Sequence, residues 1–222
     1  MQKHRILTAG LAAPITLIAA LTLTGCSPFA FLPGPTTSTQ PETTQPEVEV
    51  EQGPVELTRA EAGQRYLDIV CQPNEAWDAY DIAWIALEDA EAAGGSLDIT
   101  AVQEAAAELL HLRQQEAALL EDPRFVWPTS VQDQILLLQD MNLSDMRLLE
   151  LEVNARNFDE LWRISYPELT AEELRAPQEI RLNLGIDADT VASCRGHEQE
   201  NDRLYAELQA YLNESDSGQT FN

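Results

Sequence analysis

Apolar side chains recur along this chain with the period of an α-helix, and that recurrence constrains its fold more than any other feature. Val131, Ile135, Leu138, Asn142, Met146, Leu149 and Val153 step at a mean of about 3.7 residues, close to the helical repeat. Trp77, Tyr80, Trp84 and Leu87 follow at steps of 3, 4 and 3, which places them on one helix face. Val102, Ala106, Leu109 and Leu112 repeat the pattern in a run that extends to Leu120. No segment of useful length alternates with the period of two that a half-buried strand requires, and no internal repeat is visible. The predicted fold is all-α, a bundle of four to six helices over residues 57–213.

Start and stop signals divide this region. Thr58-Arg59-Ala60-Glu61 and Thr170-Ala171-Glu172-Glu173 read as capping boxes, in which hydroxyl and carboxylate satisfy free amides at a helix start. Pro73 lacks an amide donor and is expected to kink or break the first helix, with Asn74 as a new cap. Gly94-Gly95 ends that helix, and a second begins near Asp98 or Thr100 and stops before Asp122-Pro123. After the aromatic turn Phe125-Val126-Trp127-Pro128, a third helix is expected from Thr129 or Ser130 to about Arg163. Pro177 is expected to mark a restart within the next helix, and Gly185 its C-cap. The last helix is expected from about Asp189 to Leu212, ahead of a disordered polar tail at 214–222.

The N-terminal quarter is different in kind. Lys3, His4 and Arg5 precede the apolar run Ile6 to Leu23, which has the size of a signal-peptide core and is marginal for a membrane span. Residues 27–56 interleave Pro28, Pro33, Pro35, Pro41, Pro46 and Pro54 with threonines and with Glu47, Glu49 and Glu51. Prolines remove backbone donors and no apolar period survives, so an extended, partly polyproline-II tether is expected. Its thirty residues would reach at most roughly 90 Å at about 3.1 Å per residue.

Leu23-Thr24-Gly25-Cys26, directly after the apolar run, resembles the lipobox of bacterial lipoproteins at all four positions. The resemblance implies a signal peptide over residues 1–25 and cleavage before Cys26. It further implies a diacylglycerol thioether on the Cys26 sulfur, an acyl chain on its new amine, and retention at the extracytoplasmic face of the cell membrane. Lys3 is the sole lysine, a bias that resembles proteins of high-GC bacteria such as actinobacteria. In such a host the protein would stay on the outer face of the plasma membrane.

Cleavage would leave eleven arginines against 38 acids, a net charge of −27. That excess argues against nucleic acid and anionic lipid head groups as partners, because both require the opposite sign. With Cys26 lipidated, Cys71 and Cys194 remain, and an extracytoplasmic location permits one disulfide between them. Two buried free thiols, or metal ligation, are the alternatives.

Few residues suggest chemistry. Glu108-Leu109-Leu110-His111 has the Glu-x-x-His spacing of carboxylate-bridged di-iron bundles. Such sites need a second motif, and His197 follows Ser193-Cys194-Arg195-Gly196 instead. Glu108 and His111 are therefore expected to serve as surface side chains rather than metal ligands. No Gly-x-Ser-x-Gly, His-Glu-x-x-His or phosphate-binding glycine loop is present in the sequence, and no cofactor is implied. Trp77, Tyr80 and Trp84 read as core rather than as a sugar-stacking stripe. Asn142 interrupts the third helix's apolar face as a hydrogen-bonded or water-facing amide, in preference to a pocket wall. The expectation is a non-enzymatic interaction domain, anchored to the membrane through Cys26, with a protein of the envelope as partner. The alternative is a helical lipoprotein that binds a small ligand or cation for a transporter.

Overall fold

The computed structural model describes residues 53–218, with side chains to 215. The signal peptide 1–25, Cys26, the tether as far as Gln52 and the last four residues lie outside the described residues. The described chain is all-α. Its elements are β1 (Val55–Glu56), α1 (Arg59–Ala92), α2 (Thr100–Leu120), β2 (Phe125–Val126), α3 (Gln132–Val153), α4 (Phe158–Trp162), α5 (Ala171–Leu184), α6 (Thr190–Cys194) and α7 (Glu200–Gly218).

Helix starts follow the local chemistry. Thr58 and Thr170 each accept from the amide three residues on, and Glu61 and Glu173 return the bond to the threonine amide. Asp98 accepts from the Thr100 amide at 3.0 Å and so opens α2. Gly94, with φ 67°, and Gly185, with φ 77°, take the left-handed conformation that ends α1 and α5.

α1 does not break at Pro73: it runs unbroken for 34 residues, roughly 51 Å at 1.5 Å per residue. A helical proline leaves the carbonyl four residues earlier without its donor, which here is Ile69. The Asn201 amide on α7 donates to the Ile69 carbonyl at 2.6 Å. A side chain 132 residues away thus replaces the missing helix bond. Asn74 is no cap. Pro177 likewise lies inside α5 rather than at a restart.

Two long helices expected from periodicity are each divided. α3 ends at Val153, and Gln103 of α2 donates at 2.8 Å to the carbonyls of Val153 and Ala155. Asn157 then accepts from the Glu160 amide at 3.0 Å and opens the short α4. The expected last helix breaks after Cys194, where Gly196 has φ 90°, and resumes as α7. α7 continues to Gly218, past the expected limit of the domain at residue 213. Val55 and Glu56, assigned to the tether from sequence, pair in parallel with Phe125 and Val126.

The helices enclose two apolar clusters rather than one. The first joins Ile69 and Val70 of α1 to Leu119, Ile135, Ile180 and Leu208. The second joins Tyr80, Trp84 and Leu87 of α1 to Val102, Leu109, Leu149 and Leu161. On α2 the first cluster takes the C-terminal end and the second the N-terminal half; on α3 the order is reversed. α2 therefore runs antiparallel to its neighbours, as short connections dictate.

Candidate functional site

A buried polar layer separates the two clusters. Arg113 lies midway along α2, and its guanidinium donates to Glu116 Oε2 at 2.6 Å and to Asn142 Oδ1 of α3 at 3.2 Å. Asp145, one turn on from Asn142, stands 3.8 Å from the same guanidinium. The Trp77 ring of α1 faces the Arg113 guanidinium, 5.5 Å from its centroid. Glu116 and Asn142 are each 1% exposed, so the pairing is largely dry. Burial raises the Asp145 carboxyl above its ordinary range, against the opposing pull of Arg113. Burial also opposes the Arg113 charge, and the carboxylates of Glu116 and Asp145 more than restore it. Asn142 therefore faces inward as a buried amide, bonded through its oxygen, and not into a pocket.

Two further buried carboxylates organise the ends. Asp122, just after α2, accepts from Arg65 at 2.6 Å and from Arg124 at 2.6 and 2.9 Å. Burial works against its charge, but the Arg124 bonds and the Arg65 charge prevail and hold its pKa below the ordinary value. Arg65 also stacks over Phe125 at 4.0 Å, which ties β2 to α1. At the other end Glu152 accepts from the hydroxyls of Tyr80 and Tyr166 at 2.6 and 2.7 Å. Burial, with the Glu152 carboxylate adding to it at Tyr80, pushes both phenols far above their usual range. They remain neutral donors that hold the 163–169 segment against α1.

α6 and the start of α7 are lashed to α1 around Pro73. Cys71 and Cys194 stand at disulfide-bonding distance, with Cα atoms 5.3 Å apart. His197 Nδ1 meets Asp68 Oδ1 at 2.5 Å, and Gln72 donates to Asp202 at 3.1 Å. His197 and Ser193 line an open groove of about 410 Å³, beside Gly63, Gln64 and Gly185. The set Ser193, His197 and Asp68 does not form a nucleophilic triad. The Ser193 hydroxyl is held by the Arg181 guanidinium and donates to the Thr190 carbonyl. A second groove of about 460 Å³, adjoining the first at Ala60 and Gln64 of α1, is lined by Val55, Leu57, Arg65 and Phe125.

Glu108 and His111 lie on the exposed face of α2, and His111 meets Gln115 at 3.0 Å. Among the described residues no group of three or more His, Cys, Asp and Glu could hold a metal ion. Tyr80 and Trp84 are core residues, and Trp77 is half-buried beside Arg113. Sequence reading missed the polar layer. Arg113 and Glu116 carried a signal, being an ion pair at i, i+3 on a face that also holds Leu109 and Leu112. Among the described residues no helix is long and apolar enough to cross a membrane. No family model, curated protein or solved structure matches the chain. The site thus stands on its own chemistry, that of a polar layer whose buried carboxylates are paired internally with arginines and tyrosines.

Proposed function

We propose that this chain is an extracytoplasmic lipoprotein, held to the cell membrane by lipid on Cys26, which presents a non-catalytic helical interaction domain. The observation that carries this reading is the Cys71–Cys194 pair in a chain that begins with a lipobox-like leader. Such bonds persist in oxidising compartments and are rare in a reducing cytosol. The leader and the cysteine pair therefore point to the same side of the membrane by independent routes. The charge of the body agrees: at −27 after cleavage it would be repelled by an anionic bilayer. Attachment rests on the lipid, and two or three acyl chains hold stably where one does not.

Membrane flotation of the full-length protein and of Cys26→Ser tests the anchor. The variant should leave the membrane fraction, and unchanged partitioning would refute the assignment. Affinity isolation after crosslinking in cells tests the interaction role, with recovery of no specific partner as the contrary result. The two open grooves beside α1, of about 410 and 460 Å³, leave room for a second reading, a small-ligand carrier for a transporter. A stoichiometric ligand in native mass spectrometry would favour that reading over the first.

A further inference from the structure

We infer that the outward face of α3 pairs with the same face of a second copy, antiparallel about an axis between Leu143 and Ser144. Leu136, Leu143 and Leu151 of α3 are 60, 48 and 57% exposed. Their spacing of seven and eight residues sets them in one stripe. Asp140 and Arg147 lie on the same stripe, and among the described residues neither has an ion-pair partner.

The stripe is self-complementary. Asp140 and Arg147 each lie 3.5 positions from the midpoint between Leu143 and Ser144, and Leu136 and Leu151 each lie 7.5 positions from it. In an antiparallel pair about that midpoint, Leu136 of one copy meets Leu151 of the other, and Asp140 meets Arg147, twice by symmetry. Leu143 approaches its own counterpart across the axis. Asp133 falls opposite Asn154, and Glu150 opposite Leu137. No acid on the stripe faces an acid, although acids outnumber arginines by 38 to eleven in the cleaved chain. An isologous two-fold interface requires this kind of reciprocal matching.

The area sets where the pairing operates. A 22-residue helix face is roughly 33 Å long and about 10 Å wide. That is well below the ~800 Å² per partner of a standard interface. Copies free in solution would pair weakly. Copies held in one membrane meet at a high effective concentration, and there a small interface suffices. In this respect the inference rests on the membrane anchoring proposed above.

The test uses the full-length lipoprotein carrying L143C, reconstituted in vesicles and oxidised. Cys26 would be a thioether and Cys71 and Cys194 a disulfide, so the new thiol is the reporter. Covalent dimer should form at L143C and not at L182C, a control on the exposed face of α5. R147D, or D140R, added to L143C should reduce the dimer about fivefold or more, since two exposed ion pairs become two repulsions. The double exchange D140R/R147D should restore it. Absence of dimer in floating protein would overturn the pairing, as would indifference to either single exchange, failure of the double exchange to rescue, or crosslinking in native membranes to a different protein. Flotation of the same sample reports the anchor separately. Protein that stays soluble refutes the anchor, and crosslinking at millimolar concentration then decides the pairing by the same variants.

Discussion

At Pro73 the chain gives up a helix hydrogen bond, and Asn201 returns it from another helix. The Ile69 carbonyl that receives the Asn201 amide sits at the packed seam of α1 and α7, where Asn201 is fully buried. Asn201→Ala should therefore cost about 1–3 kcal/mol, the penalty for a buried carbonyl left without a donor. Pro73→Ala supplies the helix with its own donor, so the same Asn201→Ala change should cost clearly less in that background. Urea unfolding of the four proteins gives the coupling directly, and equal costs in both backgrounds would sink this account. Pro73 also shows why sequence reading has a limit. The proline is visible and its local consequence follows, but the remedy lies in a residue 132 positions on. Only the packed structure brings the two together.

Among the elements, the capping boxes and the glycine stop of α5 were legible, while the boundaries expected at Pro73 and Pro177 did not form. Thr58, Thr170 and Gly185 act within one helical turn of their own position, and each stands where the sequence placed it. The divisions within the two long apolar runs were not, because the apolar period continues through them. Their signals are small: Asn157 as a cap for α4, and Gly196 with its positive φ between α6 and α7. Gly185 makes the element-scale prediction. An added Cβ there is strained by the positive φ and would also meet the Arg59 guanidinium at 3.0 Å. That guanidinium donates to the Leu182 carbonyl at the end of α5. Gly185→Ala should destabilise by about 1–2 kcal/mol from the backbone alone, with displacement of Arg59 adding to it. Gly94 has a similar φ and open space around it, so Gly94→Ala should cost measurably less. Thermal melts of the two variants separate the backbone cost from the contact, and equal shifts would show that Arg59 contributes nothing.

At the scale of the whole described domain, two apolar clusters are joined through a polar waist, with cysteines 123 residues apart held together beside the first of them. That long closure predicts about 4–5 kcal/mol of stabilisation on the chain-entropy model. Cys71→Ser, Cys194→Ser and the double variant should lose the same amount, and additive losses in chemical denaturation would argue against a shared bond. The all-α class was legible because a 3.6-residue period survives in single segments. The waist was not, since Arg113 and Asn142 meet only after α2 and α3 pack. Asp145 of the waist and Asp122 just after α2 give the domain two opposite pH responses. Asp122 is held below its ordinary pKa by Arg124 and Arg65, so its stabilising effect is complete above the unfolded value near 4 and fades as pH falls through the folded one. Asp145 is raised by burial, so its charged form costs stability above its folded pKa, and acid relieves that cost. Asp122→Asn should therefore lose about 3–5 kcal/mol at pH 7, as expected when one partner leaves a buried ion pair. Asp145→Asn should instead raise the urea midpoint at pH 7. The Asp122→Asn difference should shrink only as pH falls below about 4, where the unfolded carboxylate is protonated, whereas the Asp145→Asn difference, opposite in sign, should shrink earlier, as pH falls from the raised folded pKa towards that value. A lower midpoint for Asp145→Asn at pH 7 would mean that the Arg113 attraction outweighs the burial cost, and that the waist is a net ion pair.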